Sequence, residues 1–178
     1  EVDTLERVNR QHRSLLNGLR QVYAQAPSIP FLVLKGIGVA DFYPHPEHRL
    51  AGDIDLWFGN EAQTEQANQR MEQMGLPVQR GKQGEASCVI NNILIEHHSR
   101  LIELHNPFLQ QQIRQWEATV FAKGEERLPV EANLLLLSTH ILKHFINEGI
   151  GLRQLCDVAM TFHALHAVTD IQTLERLC

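Results

Sequence analysis

Two aspartates one residue apart, Asp53 and Asp55, lie in an otherwise apolar segment that ends at Phe58. In a β-strand alternate side chains share a face, so both carboxylates would lie opposite Ile54 and Leu56. Two residues of rise place their Cα atoms about 6–7 Å apart, within reach of one cation or a pair of cations. Like charges that share a site repel each other, so without a cation we expect the carboxyl groups there to have raised, coupled pKa values. A divalent ion relieves that repulsion. Because Mg²⁺ prefers carboxylates together with substrate phosphates, the pair favours a metal–phosphate site; a strand with one solvated edge is the alternative.

The segment before this strand predicts a strand, a glycine turn and a short helix. Phe31 to Leu34 is an apolar run typical of a buried strand, and Lys35-Gly36 ends it. Ile37 to Tyr43 then predicts the helix, and a turn-rich link closes on Arg49. Glycine allows the backbone to approach a phosphate closely, and a first helical turn offers N–H donors to it. Gly36 is therefore a candidate phosphate-binding residue, whereas Lys35 and Arg49 either neutralise phosphate or pair with a carboxylate.

Together these motifs resemble those of a known enzyme family. The chain resembles the nucleotidyltransferases of the DNA polymerase β-like superfamily in the order of its motifs. These are an L-K-G turn, a helix, a Tyr-Pro turn, an R-x-x-x-D-I-D-L motif and a later I-E-x-H strand. The sequence is similar to a bacterial group described as uncharacterised nucleotidyltransferases, and to abortive-infection toxin nucleotidyltransferases. The resemblance covers residues 31–104 well and residues 134–163 more loosely. Many members have Gly-Gly or Gly-Ser at the phosphate-binding turn, whereas this chain has Gly-Ile at residues 36–37.

The resemblance implies transfer of a nucleoside monophosphate from a nucleoside triphosphate (NTP) to an acceptor, with release of pyrophosphate. Asp53 and Asp55 would hold two Mg²⁺ ions, for which Mn²⁺ can substitute, and Glu96 would complete the metal site on the attacking side. The acceptor is open: a small molecule, a protein or an RNA. Two alternatives remain, namely a catalytically degenerate domain that binds a nucleotide or a partner, and a toxin-like enzyme that acts on RNA or protein.

The third acid, Glu96, lies on a predicted β-hairpin. Its strands, Ser87–Ile90 and Ile93–His98, flank Asn91-Asn92, and Asn tolerates the positive φ of a tight two-residue turn. Glu96 and His98 share one face of the second strand. An exposed hairpin acid is the alternative for Glu96. His98 either orients Glu96, contacts metal or phosphate, or has a structural role.

The C-terminal part is predicted to be helical, with helices at Glu131–Asn147, at Leu152–His166 and from about Asp170 onwards. His140 and His144 stand four residues apart and therefore share one helical face. The resemblance implies that this part walls the nucleotide cleft, with His140, His144 and Asp157 facing it. A packing network with a buried Arg-Asp or His-Asp pair is the alternative.

Further local predictions concern the helices around these motifs. Residues 1–26 predict an amphipathic helix whose His12 and Arg13 face solvent. A short strand is predicted at Leu76–Arg80, a helix at Asn106–Trp116, and a loop or an extended stretch at Glu117–Pro129. We therefore expect an α+β fold. Residues 1–129 would form a polymerase β-like core with a mixed, mainly antiparallel sheet flanked by helices, and residues 130–178 would form a helical subdomain.

The composition narrows the class of protein. A chain of 178 residues suffices for one core with a small helical appendage. Its net charge of −5 lacks the basic footprint of a dedicated nucleic-acid binder. Three widely spaced cysteines predict reduced thiols in a cytoplasmic protein, and no apolar run is long enough to span a membrane. The chain starts without Met and stops inside a predicted helix, which suggests a piece of a longer protein.

Overall fold

The computed structural model describes residues 2–81, 85–104, 106–122, 128–147 and 149–168. The helices are α1 (Val2–Ala24), α2 (Lys35–Val39), α3 (Glu61–Gln73), α4 (Pro107–Ala122), α5 (Val130–Asn147) and α6 (Leu152–Val168). The strands are β1 (Leu32–Leu34), β2 (Ile54–Trp57), β3 (Gln79–Arg80), β4 (Ala86–Ile90) and β5 (Ile93–His98). Two short 3₁₀ turns, Ala40–Phe42 and Pro46–His48, lie between α2 and β2.

The five strands form one mixed sheet in the order β1-β2-β5-β4-β3. β2 and β5 run parallel, and the other neighbouring strands run antiparallel. Asn91 and Asn92 have φ values of 52° and 64° and form the predicted turn between β4 and β5. The predicted α+β fold with a mainly antiparallel sheet is thus confirmed. The boundary between two domains at residue 130 stays a prediction.

Two hydrophobic cores cover the two faces of the sheet. On one face, Ile54, Leu56 and Ile95 pack with residues of α1 and α3. On the other face, Leu34 and Trp57 pack with residues of α4 and α5. Strand alternation puts Asp55 on the same face as Trp57. The aspartate therefore lies beside a packed core and not along a solvated strand edge.

Helix α4 is longer than the sequence predicted, because its last turns have buried partners. Glu117, placed in a loop by the sequence, is buried within this helix. Its carboxylate accepts hydrogen bonds from the backbone N–H groups of Leu101 and Ile102, at 2.8 and 2.9 Å. Val120 packs into the core with Trp57 and α5. The predicted loop over residues 117–122 is therefore wrong.

Other predicted boundaries shift by smaller amounts. The strand predicted at Leu76–Arg80 is reduced to the two residues of β3. The helix predicted at Ile37–Tyr43 is divided into α2 and the Ala40–Phe42 turn. The third C-terminal helix, predicted from Asp170, lies outside the described residues. Within the described ranges, no helix is both long enough and apolar enough to cross a membrane.

Candidate metal and nucleotide site

The parallel pairing of β2 and β5 brings two acids together. Asp55 is the direct partner of Glu96, with Ile54 opposite Ile95. Side chains of directly paired residues point to the same face, so both carboxylates stand at one level on the α4–α5 side of the sheet. Asp53 immediately precedes β2 and is half-buried. The sheet register thus places Asp55 and Glu96 on a common face.

Two basic side chains contact the buried carboxylate of Asp55, which is only 1% exposed. Lys35 Nζ and His98 Nε2 each lie 2.9 Å from the same oxygen, Oδ1 of Asp55. His98 Nε2 is also 3.6 Å from Glu96 Oε2. Asp55, Glu96 and His98 each offer one ligand atom within 4.8 Å of the others. These contacts define a compact cluster of alternating charge.

The electrostatics differ from the expectation of uniformly raised carboxylate pKa values. Burial opposes ionisation of Asp55, but the hydrogen bond from His98 and the charge of Lys35 outweigh it and hold the pKa of Asp55 well below its usual range. Burial, followed by the charge of Asp55, raises the pKa of Asp53 as expected. Burial lowers the pKa of His98, but its hydrogen bonds to Asp55 and Glu96 prevail and raise it to about 9. The expectation was wrong for Asp55, since two cations already compensate its charge.

The first two residues of α2, Lys35 and Gly36, form a non-helical turn whose unusual backbone delivers Lys35 to Asp55. Lys35 and Gly36 have φ values of 40° and 33°, in the left-handed region that non-glycine residues seldom adopt. A Cβ added to Gly36 would lie 3.4 Å from the carbonyl oxygen of Asp53. The next residue, Ile37, is buried in the core formed with α1 and α3, which accounts for an apolar side chain after Gly36. Strained backbone of this kind persists where the surrounding structure holds it, often at functional sites.

Arg49 forms a buried bidentate ion pair with Asp157 of α6. Its Nε donates to Oδ1 at 2.8 Å and its Nη2 donates to Oδ2 at 2.6 Å. The hydroxyl of Tyr43 donates to Oδ1 of the same carboxylate at 2.6 Å. Of the roles that the sequence left open for Lys35 and Arg49, pairing with a carboxylate is therefore observed for both. The pair fastens α6 to the link that leads into β2.

Two buried polar residues of α1 hold the same link by its backbone. The side-chain amide of Asn9 donates to the carbonyl oxygens of Glu47 and Arg49, at 2.6 and 2.8 Å. His12 Nε2 lies 2.6 Å from the carbonyl oxygen of Gly52, the residue before Asp53. His12 is only 5% exposed, so its predicted position on a solvated face is wrong. Asn9 and His12 act as a clamp on the segment that delivers the first aspartate.

The sequence contains a signal for this clamp. The buried residues of α1 follow one helical stripe: Asn9, His12, Leu16, Leu19 and Tyr23. Their spacing alternates between three and four residues, which is the period of a helix face turned to the core. Polar side chains on such a stripe need hydrogen-bond partners, because burying them unpaired is costly. The helical period of this stripe alone therefore indicates that Asn9 and His12 are buried and hydrogen-bonded.

A comparison with protein families agrees with this geometry. The family described as uncharacterised nucleotidyltransferase matches residues 2–178 of the chain. The chain belongs to this nucleotidyltransferase family. Membership supports an enzyme that carries out nucleotidyl transfer in a general sense. No curated protein and no solved structure shows a significant match.

The side chains of this nucleotidyltransferase fit a divalent cation chemically. Carboxylate oxygens are the ligands that Mg²⁺ prefers, and Asp55 and Glu96 offer them from directly paired positions, with His98 beside them. Asp53 lies two residues before Asp55 in sequence, but its carboxylate is not among the ligand atoms that lie within 4.8 Å of one another. Burial and the charge of Asp55 raise the pKa of Asp53. A cation bound beside Asp53 and Asp55 would lower that pKa again, because it would neutralise their charge. An ion bound to Asp55 would share this carboxylate with Lys35 and His98.

The histidines predicted to line the nucleotide cleft lie on α5. His140 is half-buried on this helix, and its predicted position in the cleft stays a prediction. The side chain of His144 lies outside the described part of the structure. Asp157, which the resemblance placed in the cleft with them, is committed to Arg49 and Tyr43.

Proposed function

We propose that this nucleotidyltransferase uses divalent metal ions to move a nucleoside monophosphate from an NTP to an acceptor, releasing pyrophosphate. The observation that carries the proposal is the direct pairing of Asp55 with Glu96 across β2 and β5 in a chain of this family. Asp53 stands two residues before Asp55 and immediately precedes β2, so continuation of the strand period would turn its side chain to the same face. Mg²⁺ is the proposed metal, with Mn²⁺ as a substitute, and two ions are proposed.

Asp53, Asp55 and Glu96 are the proposed metal ligands and catalytic acids. Bound Mg²⁺ would neutralise phosphate charge and stabilise the attacking and leaving oxygens. Glu96 has a side-chain exposure of 33%, compared with 1% for Asp55. The more accessible acid is the one that an acceptor reaches first, so Glu96 is assigned to the attacking side.

The surrounding groups orient the acids and receive the phosphates. Lys35 supplies a fixed positive charge beside Asp55, and the absence of a side chain at Gly36 lets the triphosphate approach the turn closely. His98 holds a proton between Asp55 and Glu96, which keeps the two carboxylates at a fixed separation. Arg49 lies beside this turn, since its Nη1 is 4.0 Å from the position that a Cβ of Gly36 would occupy.

The acceptor is proposed only by class. A small molecule, a protein side chain or an RNA end would each present a hydroxyl to the attacking side. The net charge of −5 argues against binding along a nucleic-acid duplex. We also propose that His140 and His144 of α5 border the nucleotide cleft.

A second candidate is a domain that binds a nucleotide without turnover. The observation in its favour is that Lys35 and His98 already compensate Asp55, so the carboxylate does not depend on a metal for charge balance. The two candidates differ in one measurable respect. Both predict NTP binding, but only the enzyme predicts that the α-phosphate becomes covalently attached to another molecule.

The test is a transfer assay with α-labelled NTPs, Mg²⁺ or Mn²⁺, and acceptor mixtures that contain small molecules, RNA or protein. We expect labelled product from the wild type and none from Asp53→Asn or Asp55→Asn, while Glu96→Gln should lose transfer more than NTP binding. Glu131→Gln, an exposed acid on α5, is the matched control and should keep full activity. NTP binding without transfer to any acceptor would favour the second candidate. Wild-type Mg²⁺ affinity in Asp55→Asn would contradict the metal site.

A further inference from the structure

A second group of potential metal ligands lies on the link between α2 and β2, apart from the acid site. His45, Glu47 and His48 belong to the Pro46–His48 turn or directly precede it, and each offers one ligand atom within 4.8 Å of the others. His48 Nε2 also lies 3.4 Å from Oε1 of Glu6, which comes from α1. The two imidazole rings stack with their centroids 5.1 Å apart. Three donors of the link thus lie close together, and Glu6 of α1 contacts one of them, His48.

The distances between these donors approach those of a tetrahedral metal site. With zinc–ligand bonds of 2.0–2.1 Å, two ligand atoms of a tetrahedron lie about 3.3–3.4 Å apart. His45 Nδ1 is 3.4 Å from Glu47 Oε1, and His48 Nε2 is 3.9 Å from the same oxygen. Two imidazoles select zinc-like ions over Mg²⁺, which prefers oxygen ligands alone. We propose that His45, Glu47, His48 and Glu6 bind one Zn²⁺ ion.

The proposed ion would have a structural role. Glu6 belongs to α1, and the other three ligands belong to the link that continues through Arg49 to Asp53. The opposite oxygen of Glu6 pairs with Arg10 at 3.4 Å, which leaves Oε1 directed at His48. Zn²⁺ would therefore join the same two elements as the Asn9–His12 clamp, but from the solvent side. Because it binds only the folded arrangement, it stabilises that arrangement by mass action.

The experiment is calorimetric titration of ZnCl₂ into the full chain in excess Mg²⁺, with thermal unfolding measured in parallel. The background is Cys156→Ser/Cys178→Ser, because thiols also bind Zn²⁺. The test variant is His45→Ala/His48→Ala. The matched control is His163→Ala/His166→Ala, which removes two exposed histidines of equal spacing on α6. Glu6→Gln tests the ligand from α1, and His98→Ala separates this site from the acid site.

We expect the test variant to bind one Zn²⁺ fewer than the background and to lose the zinc-dependent rise in unfolding temperature. The control and His98→Ala should retain that ion and that rise. Glu6→Gln should weaken binding about tenfold or more, since even outer partners of metal ligands contribute about 10–100-fold. An unchanged stoichiometry in the test variant overturns the proposal. An equal loss in the control overturns it as well, because the binding would then be common to any histidine pair. All four ligands are partly exposed, so folding of the variants is checked by circular dichroism.

Discussion

Replacement of Asp157 by alanine tests whether Arg49 is held structurally or is available to a substrate. Arg49 is 7% exposed and Asp157 is 4% exposed, and two hydrogen bonds join their side chains. Asp157→Ala leaves a buried guanidinium without its counter-charge. Removing one partner of a buried pair costs about 3–5 kcal/mol, because the remaining charge stays desolvated. Tyr43 also loses its acceptor, and a hydrogen bond contributes about 0.5–1.5 kcal/mol to stability.

Together these two contributions predict a fall of about 4–6 kcal/mol in the free energy of unfolding, a large part of the 5–15 kcal/mol typical of a domain. The measurement is urea denaturation followed by circular dichroism. Glu61→Ala is the matched control, since Glu61 is 70% exposed beside Arg100 and such pairs contribute about 0–1 kcal/mol. The double variant Arg49→Met/Asp157→Leu should be more stable than Asp157→Ala, because it leaves no unpaired charge.

Equal costs for Asp157→Ala and Glu61→Ala would refute this reasoning. The Arg49–Asp157 pair would then be open to water in solution, and Arg49 would be available to bind phosphate, one of the two roles that the sequence left open. If Asp157→Ala does not fold, the double variant still decides the question. A double variant that also fails to fold would show that the paired charges themselves are required, contrary to the argument from desolvation.

Three further predictions concern the turn, the clamp and a buried acid. Gly36→Val should weaken NTP binding in calorimetry, because φ is +33° and a side chain would stand 3.4 Å from a carbonyl oxygen; an unchanged affinity would remove the turn from the site. His12→Ala should lower transfer activity more than Arg10→Ala, an exposed residue of the same helix, because only His12 contacts Gly52; equal activities would show that the clamp does not position the acids. Burial raises the pKa of Glu117 above 4.5, so the folded state holds this proton more tightly than the unfolded state. The wild type should therefore gain stability relative to Glu117→Gln as the pH falls from 7 through the raised pKa, and the gain should be complete below about pH 4.5. A stability difference that does not change with pH in urea denaturation would show that this carboxylate is solvated.

The strand that carries the acids was predictable because its signal is local. Asp53 and Asp55 alternate with apolar residues, and this period of two indicates a strand with a charged face wherever the strand packs. The Asn-Asn turn sets the register of β4 and β5, so the face shared by Glu96 and His98 also follows from the sequence. In contrast, the side chain to which His98 donates depends on the parallel pairing with β2, which no local pattern specifies.

The groups that compensate Asp55 and Arg49 were not predictable, since they depend on distant contacts. Asp157 follows Arg49 by 108 residues and reaches it only when α6 packs against the link. Lys35 reaches Asp55 because its backbone adopts a left-handed conformation. L-residues seldom adopt this conformation, so the residue type does not predict it. The loop predicted from Glu117 was wrong for a related reason. The helix continues through Ala122 because the carboxylate of Glu117 accepts hydrogen bonds from two backbone N–H groups of another segment and Val120 packs into the core.

The charges of the site determine how metal and nucleotide should depend on each other. When ionised, Asp53, Asp55 and Glu96 carry three negative charges, and Lys35 and His98 carry two positive ones, which leaves one net negative charge. One divalent ion at the proposed site would reverse that sign, so the proposed second ion should bind well only when the triphosphate arrives with it. By linkage, a non-hydrolysable NTP should raise Mg²⁺ affinity by the same factor by which Mg²⁺ raises NTP affinity. Lys35→Met should tighten Mg²⁺ binding, because the lysine repels the metal ion. The same variant should weaken NTP binding, because the lysine attracts the triphosphate. Calorimetry that finds both affinities lowered would instead assign Lys35 to holding Asp55 in place.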